Sequence, residues 1–187
     1  MEFYLDPYRY QGRPADTGRS EQELRCYDFL DRLQIPYDRV DHDPAFHLET
    51  CHQVEGLLGA TVAKNLFLCN RQKTQFYLLI MPPDKPFQTK YLSRQLGCSR
   101  LSFADPQDLE RLLGVQPGSA SLLGLLFDTG HQVQPVLDRP VLQLPYLGLH
   151  PCRNTSTLRI RMSDVLERLL PALGYTAPVV ELPEETP

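Results

Sequence analysis

The chain has 187 residues, a formal net charge of −4, and 42% hydrophobic and 22% charged residues, a composition typical of one globular domain with its own core. No apolar run approaches the roughly 20 residues that a membrane-spanning helix needs. The first residues include acids and lack the basic and apolar regions of a signal peptide. We therefore expect a cytoplasmic protein with no membrane partner.

Five cysteines are spread along the chain, an odd number without a C-x-x-C pair. A chain of this length has room for a hydrophobic core and does not depend on disulfides for its stability. We expect reduced, buried thiols.

Charge is distributed unevenly along the sequence. Residues 1–60 contain twelve acidic and six basic side chains, whereas residues 61–104 contain seven basic side chains and one acidic one. The seven are Lys64, Arg71, Lys73, Lys85, Lys90, Arg94 and Arg100. A solvated face explains most such clusters, but clustered basic residues also bind phosphates. Because the flanking segments are acidic, we expect any nucleic-acid contact to be short.

The first part of the chain predicts an irregular segment followed by a helix. Residues 1–19 show no periodic pattern. Ser20-Glu-Gln-Glu23 forms a capping box, and apolar residues recur after it at helical spacing, which predicts a helix. We expect a strand at residues 37–40 and a short helix at residues 48–58.

The central part predicts a hairpin and two helices. Residues 64–69 and 75–81 are apolar and flank the polar residues 70–74, a pattern typical of two strands joined by a turn. The second strand is apolar almost throughout, so we expect it to be central and covered on both faces. Helices are predicted at residues 88–96 and 106–113, the latter between an Asp-Pro start and a Gly stop.

From residue 115 onward the pattern is mostly β. Strands are predicted at residues 122–127, 133–137, 141–144 and 155–160. Ser163 is expected to cap a last amphipathic helix. Helices and strands alternate without regular βαβ spacing, so we predict a single α+β domain built on a mixed, partly antiparallel β-sheet with flanking helices.

Two motifs have a simpler structural interpretation. Residues 126–130 match the Asp-Thr-Gly core of aspartic proteases, in which two aspartates share one proton, but the chain contains one copy, and Asp-Thr-Gly also forms hairpin turns. Four soft ligands lie close together in the sequence, at a spacing that matches no standard zinc site. They are His42, His47, Cys51 and His52. We expect a turn, packed loop residues and no metal.

Three segments remain as candidates for chemistry. Lys64 and Asn65 open an apolar strand, Gly118 follows a proline within residues 114–124, and His150-Pro151 opens residues 149–157. Each segment alone fits an ordinary strand end, turn or corner. The chain also lacks a Gly-x-Ser-x-Gly elbow, a P-loop and a dinucleotide fingerprint. We therefore expect any hydrolysis to proceed without a covalent intermediate.

In this order and at these separations, the three segments resemble the YbaK-like family of freestanding aminoacyl-tRNA deacylases, and within it the prolyl-tRNA editing (ProX, PrdX) type, which hydrolyses alanyl-tRNA(Pro). The matching stretches are residues 64–68, 100–104, 112–119, 136–138 and 150–155. We expect residues 1–19 to form a lead-in, residues 20–182 a single aminoacyl-tRNA editing domain, and residues 183–187 a tail.

The resemblance implies a mixed sheet with flanking helices, a cleft for the tRNA 3′ end, and no metal or organic cofactor. It assigns catalytic roles to Lys64, Gly118 and Ser119. It assigns substrate contacts to Asn65, Ala120, Ser121, Leu122, His150 and Asn154. Family members often carry a proline and an aromatic residue where this chain has Leu122 and Leu123, so the amino acid that is accepted stays open among alanine, serine and cysteine.

The chemistry of these residue types agrees with ester hydrolysis by water. Backbone N–H groups of Gly118, Ser119 and Ala120 could bind the oxyanion, and Lys64 could supply positive charge. His150 is better placed to orient the nucleotide than to act as a base. A pocket that just holds a methyl group excludes the proline ring by size. Two alternative functions remain: a binding module of the same fold that does not hydrolyse its ligand, and a Ser- or Cys-tRNA deacylase. The sequence leaves the oligomeric state open, and a monomer is one of the possibilities.

Overall fold

A computed structural model describes residues 3–184, in which the strands form two five-stranded sheets. In chain order the strands are β1 (Tyr10–Gln11), β2 (Asp38–Asp41), β3 (Thr61–Val62), β4 (Lys64–Asn70), β5 (Phe76–Met81), β6 (Leu101–Phe103), β7 (Val133–Asp138), β8 (Tyr146–Leu149), β9 (Ser156–Arg161) and β10 (Val179–Val180). The predicted α+β class is confirmed, with the strands divided between two mixed sheets.

Six α-helical segments flank these sheets in the described range. They are α1 (Glu21–Arg32), α2 (Leu48–Leu58), α3 (Thr89–Leu96), α4 (Pro106–Leu113), α5 (Met162–Asp164) and α6 (Leu170–Leu173). A π-helical segment, Val165–Leu169, joins the last two, and 3₁₀ helices form at Leu122–Phe127 and Arg139–Gln143. Within residues 3–184 no helix combines the length and apolar character that crossing a bilayer requires.

Both sheets combine parallel and antiparallel pairs. The first has the order β1-β2-β9-β8-β3 and is antiparallel except where β3 pairs with β8. The second has the order β10-β7-β5-β4-β6; β5 is parallel to β7 and antiparallel to β4. β5 is therefore the central strand of its sheet, as predicted.

The side chains of β5 alternate between two hydrophobic cores. Phe76, Leu78 and Ile80 face the larger core, which also contains residues of the first sheet and of α1, α4 and the last helix. Leu79 and Met81 face a smaller core that is closed by α3. This coverage on both faces explains why the strand is apolar almost throughout.

Local sequence signals place several helices correctly. The Ser20 side chain accepts a hydrogen bond from the Glu23 amide at 3.2 Å, which caps α1 as predicted. α4 begins at Pro106 and ends at Leu113, and the next residue, Gly114, caps it in a left-handed conformation. Asp105 does not cap this helix with its side chain and instead forms an ion pair with Lys73 at 2.5 Å.

Three predicted elements differ from the structure. Residues 122–127 form a 3₁₀ helix rather than a strand, because a short apolar run is compatible with either when it is fully buried. Residues 141–144 fall mainly in the second 3₁₀ helix, which contains Pro140 in its first turn, and the strand follows at Tyr146. The last helix begins at Met162, so Ser163 lies inside it rather than at its cap.

The terminal segments are partly outside the described residues. The predicted lead-in is not irregular throughout, because β1 pairs antiparallel with β2 and Leu5 forms a bridge with His42. Residues 1–2 of the lead-in and residues 185–187 of the predicted tail lie outside the range that the structure describes.

The basic central segment is only partly a solvated face. Lys85 is buried and forms an ion pair with Asp138 at 2.7 Å, and Asp138 also accepts a hydrogen bond from the Leu182 amide at 3.0 Å. Lys73 is half exposed and pairs with Asp105 and Asp108. Lys85 therefore contributes to the interior of the fold.

Replacement of Lys85 by Met is expected to lower the free energy of unfolding by about 3–5 kcal/mol, because it leaves the Asp138 carboxylate buried without its partner. Urea denaturation measures this change. Lys73→Met removes the ion pairs of a half-exposed lysine with Asp105 and Asp108 and leaves Asp108 paired with Arg111; it is the matched control and should shift the midpoint much less. Equal shifts for the two variants would contradict the structural role of Lys85.

Candidate active site

A cavity of about 260 Å³ opens where the chain passes from the first sheet to the second. Only Ala63 separates β3 of the first sheet from β4 of the second, and the end of β8 lies beside this crossing. The cavity is lined by Phe46, His47, Leu48, Cys51, Val62, Ala63, Lys64, Asn65, Pro83, Gly118, Ala120 and His150. Five of the nine site residues predicted from the sequence thus meet around one space.

Lys64 is held in place by a main-chain contact. It begins β4, and its Nζ donates a hydrogen bond to the Lys85 carbonyl oxygen at 2.6 Å. Burial lowers the pKa of this ammonium group, whereas nearby Asp84 acts in the opposite direction. Because an ammonium group has three N–H donors, Lys64 can donate to a ligand in the cavity while it keeps this bond.

The loop at Gly118 requires glycine. Its φ is +85°, and a Cβ atom there would lie 2.8 Å from Phe46 Cε1 and 3.4 Å from Asn154 Nδ2. In the part of the chain that the structure describes, the Gly118 and Ala120 amides donate to no protein acceptor. The Ser119 amide donates to the Gln116 carbonyl oxygen at 2.9 Å. Two of the three predicted oxyanion donors are therefore available, and Ser119 is not one of them.

Ser121 and Leu122 are placed differently from the prediction, because neither lines the cavity. Leu122 is 0% exposed and packs into the larger core, so it has no surface left for a ligand. Ser121 is also buried; its hydroxyl donates to the His150 carbonyl oxygen at 2.5 Å and accepts from the Leu123 amide at 3.2 Å. Ser121 therefore connects the Gly118 loop to the histidine segment and caps the following 3₁₀ helix.

His150 is a neutral imidazole with a fixed orientation. Its Nδ1 lies 2.9 Å from the Ser156 carbonyl oxygen, which requires a proton on Nδ1 and leaves Nε2 as an acceptor. Burial, with a smaller contribution from His42, lowers the pKa of His150 to about 4.

A second histidine supports this arrangement. Thr157 Oγ1 lies 2.8 Å from His42 Nε2 and 3.3 Å from His150 Nδ1, and His42 Nδ1 lies 2.7 Å from the Asp43 carbonyl oxygen. Burial lowers the pKa of His42 as well. The two rings, 6.2 Å apart, thus form an uncharged pair in which His150 lines the cavity and His42 contacts it from outside the lining.

Two asparagine side chains near the cavity carry unpaired buried atoms. Asn65 Nδ2 donates to the Ala63 carbonyl oxygen at 2.9 Å, but Asn65 Oδ1 accepts no hydrogen bond from the described residues. Asn154 is buried beside Gly118, and within residues 3–184 its Nδ2 has no acceptor. An unpaired polar group of this kind is costly unless a ligand or water satisfies it.

Sequence reasoning missed one wall of the cavity. This wall consists of residues before and within the first turns of α2: Phe46, His47, Leu48 and Cys51. Phe46 is 66% exposed even though it is a large apolar side chain. The available signal was an aromatic and a leucine in an otherwise polar, histidine-containing segment, which predicted only a short helix.

The protease and zinc motifs have structural explanations. Asp128 is buried, and its carboxylate accepts hydrogen bonds from the amides of Gln132 and Val133 and from Tyr175 Oη, at 2.7–3.0 Å. His42 is buried against Thr157, whereas His52 is exposed and pairs with Glu55. Across the described range no three His, Cys, Asp or Glu side chains converge as a metal site.

Comparison with known proteins identifies the family. The family model described as "Aminoacyl-tRNA editing domain" matches residues 42–167. The chain belongs to the aminoacyl-tRNA editing domain family. Its expected class, an aminoacyl-tRNA deacylase, is confirmed by this membership and by the relatives that follow.

Similar proteins carry prolyl-tRNA names. The prolyl-tRNA editing protein ProX of Acetoanaerobium sticklandii is 31% identical over 153 residues, which cover 82% of this chain and 93% of that protein. A prolyl-tRNA synthetase associated domain-containing protein 1 of Danio rerio is 33% identical over 158 residues, 83% of each chain. A crystal structure described as a candidate trans-editing enzyme for prolyl tRNA synthetase has the same fold, with a TM-score of 0.66 and 18% sequence identity. The match covers 90% of the present chain and 100% of the chain in that crystal structure.

Gly118→Ala is expected to lower kcat/KM for aminoacyl-tRNA deacylation at least tenfold, because the added methyl group displaces the Phe46 ring and strains the loop at positive φ. The strain alone costs about 1–2 kcal/mol. Gly97 is the matched control: its φ is +62°, and a Cβ there would meet nothing within 4 Å. Gly97→Ala should cost similar stability and leave deacylation unchanged.

The Phe46 contact can be tested separately with the Gly118→Ala/Phe46→Ala double variant. Because Phe46→Ala removes the collision, the combined loss should be smaller than the product of the two single losses. Independent, multiplicative losses would contradict the proposed collision.

His150 is expected to titrate near pH 4 in NMR spectra of the folded protein. Since its pKa in the unfolded chain is about 6.5, the unfolded state binds more protons between these values, and the free energy of unfolding falls as pH decreases from 6.5 to 4. His150→Gln should weaken this dependence. Exposed His52, whose pKa Glu55 raises, is an internal reference. Titration of His150 at or above pH 6.5 would contradict its neutral state.

Proposed function

We propose that this deacylase hydrolyses mischarged tRNA(Pro), with alanyl-tRNA(Pro) as its main substrate, and that it acts in the cytoplasm, where tRNA is charged. The relatives named for prolyl-tRNA editing support the choice of tRNA. The observation that carries the proposal is the convergence of Lys64, the Gly118 loop and His150 on one small cavity.

Electrostatic stabilisation by fixed donors accounts for catalysis in this proposal. The amides of Gly118 and Ala120 donate to the ester carbonyl oxygen as it gains negative charge, and Lys64 Nζ adds its positive charge. A water molecule attacks the carbonyl carbon, the bond to the ribose 3′ oxygen breaks, and that oxygen takes up a proton. The products are free alanine and uncharged tRNA.

Attack by water agrees with the side chains at the cavity. Cys51 lines the cavity, and its thiol is a candidate nucleophile. Burial raises the pKa of this thiol, however, which keeps the sulfur protonated at neutral pH. His150, with a pKa near 4, is a weak base. Its free Nε2 is suited to accept a hydrogen bond from a ribose hydroxyl and thereby orient the terminal nucleotide.

The unpaired asparagine atoms provide polar contacts for the substrate. Asn65 Oδ1 can accept from a donor such as the α-ammonium group or the adenine amine, and Asn154 Nδ2 can donate to an oxygen or a ring nitrogen. Each contact supplies a hydrogen-bond partner for a buried atom that has none among the described residues, so each favours the bound state.

We attribute selection by size to the apolar wall of the cavity. Its walls include Val62, Ala63 and Cys51 rather than Leu122 and Leu123, which lie in the core. In this proposal the methyl side chain of alanine packs against this wall, and the larger pyrrolidine ring of proline is excluded by overlap, which would discriminate more strongly than the roughly 1–3 kcal/mol of a missing methylene. Serine and cysteine differ from alanine by one polar atom and are the nearest competitors.

A panel of Ala-, Ser-, Cys- and Pro-tRNA(Pro) tests this function. We expect the purified protein to release alanine fastest and proline slowest, with ester loss measured for each substrate. Lys64→Ala should reduce the rate on Ala-tRNA(Pro) by at least a hundredfold, because it removes a charge from the transition-state environment. Lys73→Ala, which removes a lysine at the far end of the same hairpin, is the control and should retain activity.

The outcomes separate the proposed function from its alternatives. Preferred release of serine or cysteine would replace alanine as the substrate. Tight binding of Ala-tRNA(Pro) with an intact ester would favour a binding module. Full activity of a folded Lys64→Ala variant would overturn the role of Lys64.

A further inference from the structure

The basic residues of the central segment divide into two groups. The first group has partners within the protein. Lys64 lies at the cavity and donates to a carbonyl oxygen, Lys73 forms a surface ion pair, and Lys85 forms the buried ion pair. The others are exposed and form no ion pair with an acidic side chain among residues 3–184. They are Arg71, Lys90, Arg94 and Arg100. The positive charge available to a partner is therefore smaller than the sequence suggests, and it is concentrated.

Three of these residues lie together around α3. Lys90 and Arg100 line one open cleft of about 720 Å³. Arg94 follows Lys90 by one helical turn and therefore shares its face of the helix. Glu181, whose backbone contacts α3 through Gln95, has its own carboxylate paired with an arginine. We name Lys90, Arg94 and Arg100 the α3 patch.

The α3 patch lies within reach of a substrate held in the cavity. Lys64 donates to the Lys85 carbonyl oxygen, and five residues lead from Lys85 to Lys90. A chain extends at most about 3.6 Å per residue, so the Cα atom of Lys90 lies within about 18 Å of that of Lys85. A nucleic acid whose 3′ end enters the cavity spans a distance of this size with a few nucleotides.

Charge and position together identify the partner. The whole chain is acidic, so an unpaired basic cluster within reach of the cavity is a part of the surface that attracts a polyanion. Proteins contact base-paired RNA mainly through its phosphates and ribose hydroxyls. Resting on the proposed function, we propose that the α3 patch binds the phosphate backbone of the tRNA acceptor stem while the cavity holds the aminoacylated 3′ end.

The test compares a large and a small substrate for the Lys90→Ala/Arg94→Ala/Arg100→Ala variant of the full chain. With Ala-tRNA(Pro), kcat/KM should fall at least tenfold at about 0.1 M salt, and the slope of log K against log salt for tRNA binding should decrease by about 2–3. With the alanyl ester of adenosine, which lacks the acceptor stem, kcat/KM should stay within twofold of wild type.

A charge-matched control uses three exposed arginines on the opposite side of the second sheet. Arg25→Ala/Arg32→Ala/Arg168→Ala removes the same charge from α1 and the last helix, which pack on the larger core, and should leave tRNA binding close to wild type. Unchanged tRNA affinity in the α3 variant, an equal loss in the control, or a loss on both substrates would overturn the proposal. Failure of the wild type to hydrolyse either ester would instead contradict the proposed function.

Discussion

The site depends on a single constraint, the passage of the chain between the two sheets through Ala63. On one side Val62 is in register with Gly148 of β8, and on the other side Lys64 is in register with Met81 of β5. Because main-chain hydrogen bonds fix both registers, the position of Lys64 relative to the end of β8, and so to His150, is set by the backbone. The Ser121 bond to the His150 carbonyl oxygen then fixes the Gly118 loop against the same strand end.

Burial determines the chemical character of this space. It keeps His42 and His150 uncharged and the Cys51 thiol protonated, and among the described residues that line the cavity Lys64 is the one lysine, with no arginine or carboxylate in that lining. A neutral acceptor, two unused amides and one ammonium group are the polar groups on which the proposed stabilisation of an oxyanion without a covalent step depends. The strands position the lysine and the histidine, and the glycine-containing loop supplies backbone amides that have no protein acceptor among the described residues.

Much of the fold could be predicted because its signals are local. The capping box at Ser20, the hairpin pattern around residues 70–74 and the continuous apolar character of β5 each reflect a nearby physical requirement. The 3₁₀ helix at 122–127 could not be distinguished from a strand, since a buried apolar run satisfies both. The resemblance of short motifs located Lys64, Gly118 and His150. It could not reveal that Leu122 faces the core, because which side of a turn is buried depends on packing against distant elements.

The unpaired atoms Asn65 Oδ1 and Asn154 Nδ2 affect the difference in the free energy of unfolding between the free and the ligand-bound protein. A buried polar atom that neither protein nor water satisfies costs about 1–3 kcal/mol, so a ligand that pairs with these atoms adds up to that amount to the stability of the occupied form. Occupancy and resistance to unfolding are thus thermodynamically linked. In the proposed function the same atoms penalise molecules of the right size that lack the matching polar groups, so discrimination between substrates and stabilisation by the substrate draw on the same two contacts.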